Sequence, residues 1–167
     1  MTKMIECTDI VKSFGDPPLV VLKTISLSID RGEFVGITGR SGSGKSTLLY
    51  VTSGLDELTY GKVMLSGKNI HEFDSTELHL FRNRKMGFVF QFHYLLPELT
   101  ALENILLPAR KFKEERKRTG HALNLMKEFD VIHCRDKTPS KMSGGEMQRT
   151  AIARALIMDP ELLFADE

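Results

Sequence analysis

The chain has 167 residues, of which 41% are hydrophobic, and its formal net charge is +1. This length and apolar fraction suffice for the core of one domain, while the balanced charge provides no concentrated basic face for nucleic acid. Cys7 and Cys134 are too few and too far apart for a disulfide framework or a zinc site, which favours a reducing, cytoplasmic compartment. Because no apolar run approaches the roughly 18 residues of a membrane span, we expect any work at a membrane to pass through a partner.

Apolar runs alternate with helical stretches along the chain, which is typical of a parallel sheet with crossover helices. Residues 20–29 alternate apolar and polar side chains and end at a turn around Gly32, which predicts an antiparallel edge layer. The apolar run at residues 33–38 predicts a short strand that leads into a glycine-rich loop. After that loop, a helix is predicted from about residue 46 to residue 53.

Turn and capping residues indicate the next elements. A hairpin is predicted to turn at Ser66-Gly67. Asp74 with Glu77, and Thr100 with Glu103, have the spacing of a capping box. A helix is therefore predicted to begin at each of these pairs.

The second half of the chain contains one more apolar run before a long charged segment. Residues 86–91 predict a buried strand. Residues 111–129 predict a charged amphipathic helix whose apolar side carries Leu123, Met126 and Phe129.

The segment between the predicted strand and helix reads GRSGSGKST and matches the phosphate-binding loop pattern. Glycines allow consecutive backbone N–H groups to face phosphate oxygens, and the following helix adds the positive end of its dipole. Lys45 can reach the β- and γ-phosphates of ATP, and the Ser46 hydroxyl can bind Mg²⁺. The alternative is a glycine-serine turn with an incidental lysine. The predicted nucleotide contacts are Gly39, Arg40, Ser41, Gly42, Ser43, Gly44, Lys45, Ser46 and Thr47.

The apolar run at residues 162–165 ends in Asp166 and Glu167. A phosphate-loop site needs a carboxylate at the end of a neighbouring buried strand to hold the magnesium shell, which suits Asp166. Glu167 is then predicted to be the general base that polarises the attacking water. On its own, a strand that ends in two acids is ambiguous, because any solvent-facing strand end can look so. Together with the phosphate loop it predicts a site for ATP and Mg²⁺.

A third segment, KMSGGEMQRTAIARAL from Lys141 to Leu156, resembles the signature motif of ATP-binding cassette (ABC) ATPases. Its central residues also have capping-box spacing, so the segment can begin a helix and bind a phosphate at the same time. The resemblance implies that the signature of one subunit closes over the nucleotide held by the other, in a homodimer or pseudo-dimer. The implied nucleotide contacts in the signature are Ser143, Gly144, Gly145 and Glu146.

The resemblance also implies a fold and further site residues. The fold is an α/β P-loop NTPase of the ABC type, with a mostly parallel core sheet, an N-terminal antiparallel β layer and a helical subdomain. Gln91 falls where the family has the Q-loop glutamine that contacts magnesium and the attacking water. Phe14 falls where the family stacks an aromatic ring, usually tyrosine, on adenine; taken alone, Phe14 would be a core residue. Glu146 and Met142 replace the glutamine and leucine that are usual in the signature.

Residues 88–108 most resemble the ATPases of bacterial lipoprotein-releasing systems, whose relatives include macrolide-exporter and cell-division ATPases. The resemblance implies that integral membrane permease subunits dock near Gln91–Pro108, on the cytoplasmic face of the inner membrane. The docking candidates are His93, Tyr94, Leu95, Leu96 and Pro97. The alternative for Leu95 and Leu96 is the core of the helical subdomain.

The chain is predicted to hold a single, incomplete ABC ATPase domain. Residues 1–90 form the β layer and phosphate-loop core, residues 91–156 the Q-loop, helical subdomain and signature helix, and residues 160–167 the last strand. Family members continue after that strand with an aspartate-bearing loop, a further strand and a switch histidine. We therefore expect the 167-residue form to hydrolyse ATP slowly or not at all, and its sheet to have a gap unless another chain fills it.

Three functions are considered on these grounds. The first is the motor of a membrane transporter, of lipoprotein-release type or of macrolide- or peptide-export type. The second is an ABC ATPase of DNA repair or translation, which the absence of a long insertion or basic arm disfavours. The third is a nucleotide-binding fragment without hydrolysis, which is compatible with the first.

Overall fold

The computed structural model describes residues 3–166, apart from the side chain of His71. The chain divides into two compact units, and the boundary between them falls between Leu80 and Phe81. Glu167, the predicted general base, lies outside the described residues. The predicted division of a single domain near residues 90 and 156 stays a prediction.

The first unit is built on a four-stranded antiparallel sheet with the strand order β2-β1-β3-β4. The strands are β1 (Lys3–Phe14), β2 (Leu19–Asp30), β3 (Tyr60–Leu65) and β4 (Lys68–Asn69). β1 and β2 pair along their whole length, and β2 forms one edge. The predicted antiparallel layer is therefore confirmed.

Local turn chemistry closes the hairpin between β3 and β4. Ser66 and Gly67 both have positive φ angles, 48° and 82°, as a two-residue turn of the I′ type requires. Leu65 pairs with Lys68 across that turn. These observations confirm the hairpin predicted at Ser66-Gly67. It could be predicted because the two turn residues alone specify this kind of turn.

Two helices complete the first unit and the boundary. α1 (Lys45–Thr52) begins within one residue of its predicted start. α2 (Ser75–Lys85) spans the boundary between the units. The Glu77 N–H donates to Asp74 Oδ1 at 2.8 Å, and the Asp74 N–H donates to Glu77 Oε2 at 3.3 Å. This reciprocal pair confirms the predicted capping box at the start of α2.

The strand predicted at residues 33–38 is wrong. The segment has no regular secondary structure, and among the described residues no strand pairs with it. Phe34 is 99% exposed, and Val35 and Ile37 are about half exposed. A strand forms only where a neighbour accepts and donates its backbone hydrogen bonds. The apolar run at these residues indicates a segment suited to burial. It carries no information on whether a neighbouring strand is present to pair with it.

The second unit pairs two parallel strands, β5 (Met86–Val89) and β6 (Leu162–Ala165). The helix α5 (Gly144–Leu156) packs against β5. A Cβ at Gly87 would lie 2.4 Å from the Ala155 carbonyl oxygen, so this close helix–strand approach requires glycine. Both strands predicted in this half of the chain, at residues 86–91 and 162–165, are confirmed.

Two more helices, α3 (Ala101–Arg110) and α4 (Glu115–Glu128), surround the core of this unit. Thr100 and Glu103 form the predicted capping box at the start of α3. On α4, Met126 is fully buried, while Leu123 and the adjoining Phe129 are partly buried against the same core. Within residues 3–166, no helix combines the length and apolar character that a membrane crossing requires.

Candidate functional site

The phosphate loop folds around the side chain of Lys45. The Lys45 Nζ donates to the carbonyl oxygens of Gly39 and Arg40, each at 3.1 Å. The Ser43 N–H donates to the Arg40 carbonyl at 3.2 Å and closes the turn. A Cβ at Gly39 would lie 2.7 Å from Ser43 Oγ, so the loop is too tight for a larger residue. An ammonium group is thus held inside a loop of small residues, as phosphate recognition requires.

Gly44 joins this loop to α1 as the N-cap of the helix. Its φ angle is +92°, in the left-handed region that glycine adopts at least cost, and an added Cβ would lie 3.1 Å from side-chain atoms of Val21 and Leu22. Because Gly44 carries no side chain, it cannot accept a hydrogen bond from the first-turn amides of α1. The positive end of this helix is therefore well suited to an anion.

The remaining predicted phosphate contacts have two environments. The residues of the loop itself are exposed to solvent; those named in the prediction are Arg40, Ser41, Gly42 and Ser43. The residues in the first turn of α1 are half-buried; they are Lys45, Ser46 and Thr47. The first group can reach a ligand from solvent, and the second is held by the helix.

An open groove of mixed polarity lies beside the phosphate loop. It has a volume of about 500 Å³ and is lined by side chains of β2 together with Gly42 and Ser43. Leu19, one of its lining residues, pairs with Phe14 across the β1–β2 ladder. Phe14 is 44% exposed and lies 4.6 Å from Lys12 Nζ, so it is not a core residue. Because Lys12 Nζ lies over the ring, a planar base could stack only on the part of Phe14 that remains exposed.

Gln91 and Asp166 follow the carboxyl ends of β5 and β6, at the same edge of the parallel sheet in the second unit. Val89 pairs with Ala165 in the parallel ladder, and the Asp166 N–H donates to the Val89 carbonyl at 2.9 Å. The carboxyl ends of parallel strands meet at one edge, where ligands of α/β proteins bind. Amide and carboxylate oxygens are suitable ligands for Mg²⁺, so these two side chains could share a magnesium shell.

The signature residues form the N-terminus of α5. The Ser143 side chain accepts from the Glu146 N–H at 3.3 Å, and the Ser143 N–H donates to Glu146 Oε2 at 2.6 Å. Gly144 and Gly145 are exposed, and no atom lies within 4 Å of a Cβ built at Gly144. The predicted capping box is confirmed, and the two glycines leave room for a ligand or a second chain to approach the helix.

The second carboxylate oxygen of Glu146 has its own partners. Oε1 lies 2.7 Å from His133 Nε2 and accepts from Cys134 Sγ at 3.1 Å, and Lys137 Nζ is 3.9 Å away. The Ser143 N–H, followed by His133 and Cys134, holds the pKa of Glu146 well below its usual range. This carboxylate therefore stays ionised at the mouth of the signature helix.

His133, Cys134 and Glu146 offer nitrogen, sulfur and oxygen atoms within 4.8 Å of one another. Burial, followed by the Glu146 hydrogen bond, raises the pKa of the Cys134 thiol, so it keeps its proton. The Lys137 ammonium already balances the carboxylate. The cluster is therefore a hydrogen-bond network that fixes Glu146, and no local pattern predicts it.

The loop between β5 and α3 exposes apolar side chains while its backbone is held from inside. Phe92 is 69% exposed and Tyr94 63%, whereas His93 and Leu95 are half-buried. Two residues that the sequence reasoning missed hold this loop: Arg154 of α5 and the fully buried Asn104 of α3. Each is a polar residue within an apolar helical pattern, and this was the signal that could have identified it.

Comparison with known proteins decides the family. A family model described as "ABC transporter" matches residues 22–167. The chain belongs to the ABC transporter ATPase family. The fold predicted by resemblance is confirmed by solved ABC cassettes, and the chain is an ATPase domain of this family.

Among curated relatives, this ABC ATPase domain is similar to "Lipoprotein-releasing system ATP-binding protein LolD" of several bacteria. It is 47% identical to the protein of Leptospira interrogans over 98% of this chain and 68% of the relative. It is 55% identical to the protein of Aquifex aeolicus over 88% of this chain and 66% of the relative. The chain thus spans about two thirds of the length of these two relatives.

The similar solved structures are cassettes of the same family. The dimeric bacterial ABC transporter cassette MJ0796 is 40% identical, with a TM-score of 0.89 over 98% of this chain and 74% of that chain. A structure of that cassette in a post-hydrolysis state, bound to ADP and Pi, is 38% identical with a TM-score of 0.87 over the same shares of both chains.

Proposed function

We propose that this chain is the ATP-binding and hydrolysing part of the motor of a membrane ABC transporter of the lipoprotein-release type. The observation that carries the proposal is the phosphate loop, in which Lys45 is wrapped by loop carbonyls and Gly44 opens α1 without a capping side chain. Such a site recognises the phosphates of a nucleotide. The similarity to proteins named as ATP-binding subunits of lipoprotein-releasing systems supports the transport class.

In this proposal ATP lies along the first unit. The residues from Gly39 to Thr47 hold its phosphates, and Phe14 stacks on adenine beside the groove lined by β2. Ser46, Gln91 and Asp166 would hold Mg²⁺, which when bound neutralises phosphate charge. The oxygen-rich character of these three side chains supports their assignment as magnesium ligands.

The chain's own residues have distinct tasks in hydrolysis. Lys45 stabilises charge on the phosphate oxygens, and Gln91 orients the attacking water. Glu167 is proposed to accept a proton from that water as general base. The signature residues Ser143 to Glu146 would contact the γ-phosphate of a nucleotide held by a second subunit, in a homodimer or pseudo-dimer. The exposed glycines of the signature and the dimeric state of a similar cassette support this arrangement.

Residues 91–108 are proposed to dock on integral membrane permease subunits. The exposed side chains of Phe92, Tyr94 and Leu96 support this assignment, since exposed apolar side chains grouped in one loop favour a protein partner. The domain would then sit as a peripheral protein on the cytoplasmic face of the inner membrane, without contact to nucleic acid. Nucleotide-driven closure of the dimer would move the permease through this loop.

Binding of Mg·ATP to the purified chain tests the phosphate site. We expect Lys45→Ala to weaken binding by roughly 10- to 100-fold, because a charge-assisted contact to phosphate is lost. Lys62→Ala, at an exposed position of β3 in the same unit, is the matched control and should bind as the unchanged chain does. Equal affinity of the Lys45→Ala chain, measured by calorimetry, would contradict the proposed site.

Steady-state ATP turnover tests the hydrolytic part separately. We expect any ATP turnover by the chain to be lost in Glu167→Gln, because the proposed general base is removed. Turnover that does not depend on Glu167 would reject its assignment as general base while leaving the binding site in place.

A further inference from the structure

Arg154 ties the signature helix to the loop between β5 and α3. It lies in the last turn of α5, the helix that begins at Gly144. Its guanidinium donates through Nη1 to the carbonyl oxygen of Tyr94 and through Nη2 to that of His93, both at 2.6 Å. Two short hydrogen bonds from one planar charged group fix the directions of two successive peptide groups. The loop backbone is therefore held from the helix.

The contact falls on a strained part of the loop. Tyr94 has a φ angle of +45°, in the left-handed region that a residue other than glycine adopts at an energetic cost. Its ring makes edge contacts with Phe90 and Phe92, at centroid distances of 5.5 and 6.2 Å. Such a conformation persists only where its surroundings hold it, and Arg154 binds the carbonyl of the strained residue itself.

A second anchor holds the loop two residues further on. The Leu96 N–H donates to Asn104 Oδ1 at 2.8 Å, and Asn104 Nδ2 donates back to the Leu96 carbonyl at 3.1 Å. Asn104 belongs to α3, which follows the loop directly, whereas Arg154 is 60 residues away in sequence from Tyr94. Of the two anchors, only the Arg154 contact links the loop to the helix that carries the signature.

We propose that Arg154 is a positioning residue that sets the exposed side chains of Phe92 and Tyr94 and makes their loop follow movements of the signature helix. This inference rests on the proposed docking of membrane subunits at residues 91–108. A single helix, with the signature glycines at its first turn and Arg154 at its last, transmits a displacement as a rigid body. Lysine donates from a single nitrogen on a flexible chain, so it cannot reproduce the two directed hydrogen bonds that Nη1 and Nη2 of the planar guanidinium make.

The positioning role can be measured by tryptophan fluorescence, because the chain contains no tryptophan. In a Phe92→Trp background, Arg154→Met removes both hydrogen bonds, whereas Arg154→Lys keeps the charge. We expect the amplitude of nanosecond depolarisation of the introduced indole to rise roughly twofold in Arg154→Met and less in Arg154→Lys. Arg116→Met, the same substitution at an exposed position of α4, is the matched control and should leave it unchanged.

An unchanged amplitude in both Arg154 variants would overturn the positioning role. If Arg154→Met does not fold, the Arg154→Lys variant provides the test. Its depolarisation amplitude is then expected to exceed that of the Phe92→Trp chain with Arg154 intact, and an equal amplitude would overturn the positioning role. Circular dichroism establishes which variants are folded.

Transmission is tested in the protein assembled with the proposed membrane permease subunits. We expect Arg154→Lys to lower kcat for ATP about threefold or more while KM for ATP stays within about twofold, because the phosphate loop is not touched. Normal co-purification of the membrane subunits with an unchanged kcat would overturn the transmission role. A Phe92→Asp protein that still binds those subunits normally would instead overturn the proposed docking surface, so the two failures are distinguishable.

Discussion

The two helices of the candidate site that have a glycine at or next to their first residue, α1 and α5, are built in opposite ways. α1 follows the phosphate loop, and its N-cap Gly44 has no side chain to accept from the first-turn amides. α5 follows Ser143, which exchanges hydrogen bonds with Glu146 across the first turn. The first helix start is suited to an anionic ligand, while the second is already stabilised by its own side chains.

The difference shows how one sequence feature can serve two purposes. At α1 the glycine is needed for its backbone conformation, because φ is +92° and side-chain atoms of β2 lie close. At α5 the fold itself does not require a glycine, since a Cβ at Gly144 would meet no atom within 4 Å. A glycine substitution should therefore have opposite effects on stability at the two sites.

The largest effect is expected for Gly44→Ala. Its left-handed backbone and the 3.1 Å approach of Val21 and Leu22 should together cost about 2 kcal/mol of unfolding free energy. Urea denaturation measures the loss. Gly120→Ala on α4, where a Cβ would meet nothing, is the matched control and should be neutral or slightly stabilising. A Gly44→Ala chain as stable as Gly120→Ala would contradict the contrast between the two helix starts.

Ser143→Ala should come next, with a loss of about 1 kcal/mol, because it removes the acceptor for the Glu146 N–H. Thr100→Ala provides a matched control at the other confirmed capping box and should lose a similar amount. Ser143→Gly should cost only a few tenths of a kcal/mol. If Ser143→Ala unfolds at the same urea concentration as the unchanged chain, the side-chain cap does not stabilise α5.

Gly144→Ala is expected to have a smaller effect than Gly44→Ala or Ser143→Ala, and to raise stability rather than lower it. Alanine gains roughly 0.5 kcal/mol over glycine in a helix by restricting the unfolded chain, and a Cβ here would meet no atom within 4 Å. Thermal unfolding would detect the increase. A Gly144→Ala chain that is less stable than the unchanged chain would contradict the proposed difference between the two helix starts. Separately, the added methyl group should impair assembly with a second nucleotide-loaded subunit.

The finest test concerns pH. The pKa of Glu146 is lower in the folded chain than in the unfolded one, so its contribution to stability is present above about pH 4.3, the unfolded value. As the pH falls below that value, the contribution is lost because the unfolded chain takes up more protons. The stability difference between the unchanged chain and Glu146→Gln, measured in urea, should therefore shrink between pH 7 and pH 3. A difference that stays constant would exclude the ionised carboxylate as its cause.

Features encoded within a few residues could be predicted from the sequence. The turn at Ser66-Gly67 and the capping box at Thr100 need only their own neighbours, and both are present. The phosphate loop could be predicted for the same reason, since its glycines and Lys45 lie within one short segment. Local sequence therefore determines the most specific parts of the candidate site.

Features that depend on distant partners could not be predicted. The run at residues 33–38 has the composition of a buried strand, yet pairing depends on a neighbour that composition does not specify. The hydrogen bond from Arg154 to the Tyr94 carbonyl joins residues 60 positions apart, and neither local sequence indicates the other as its partner. The hydrogen bond from Cys134 to Glu146 could not be predicted for the same reason, because the two residues lie in separate elements.

The helix α2 (Ser75–Lys85), which spans the boundary between the two units, has a capped start but no buried residue. Its resistance to opening comes from its own backbone hydrogen bonds and from side-chain contacts such as the ion pairs of Arg84 with Glu114 and of Lys85 with Glu161, because no buried apolar side chain holds it. Trypsin cuts after basic residues, and the last turn of α2 contains Arg82, Arg84 and Lys85. Brief digestion of the native chain should therefore produce an early cut in this turn, close to the boundary between the two units.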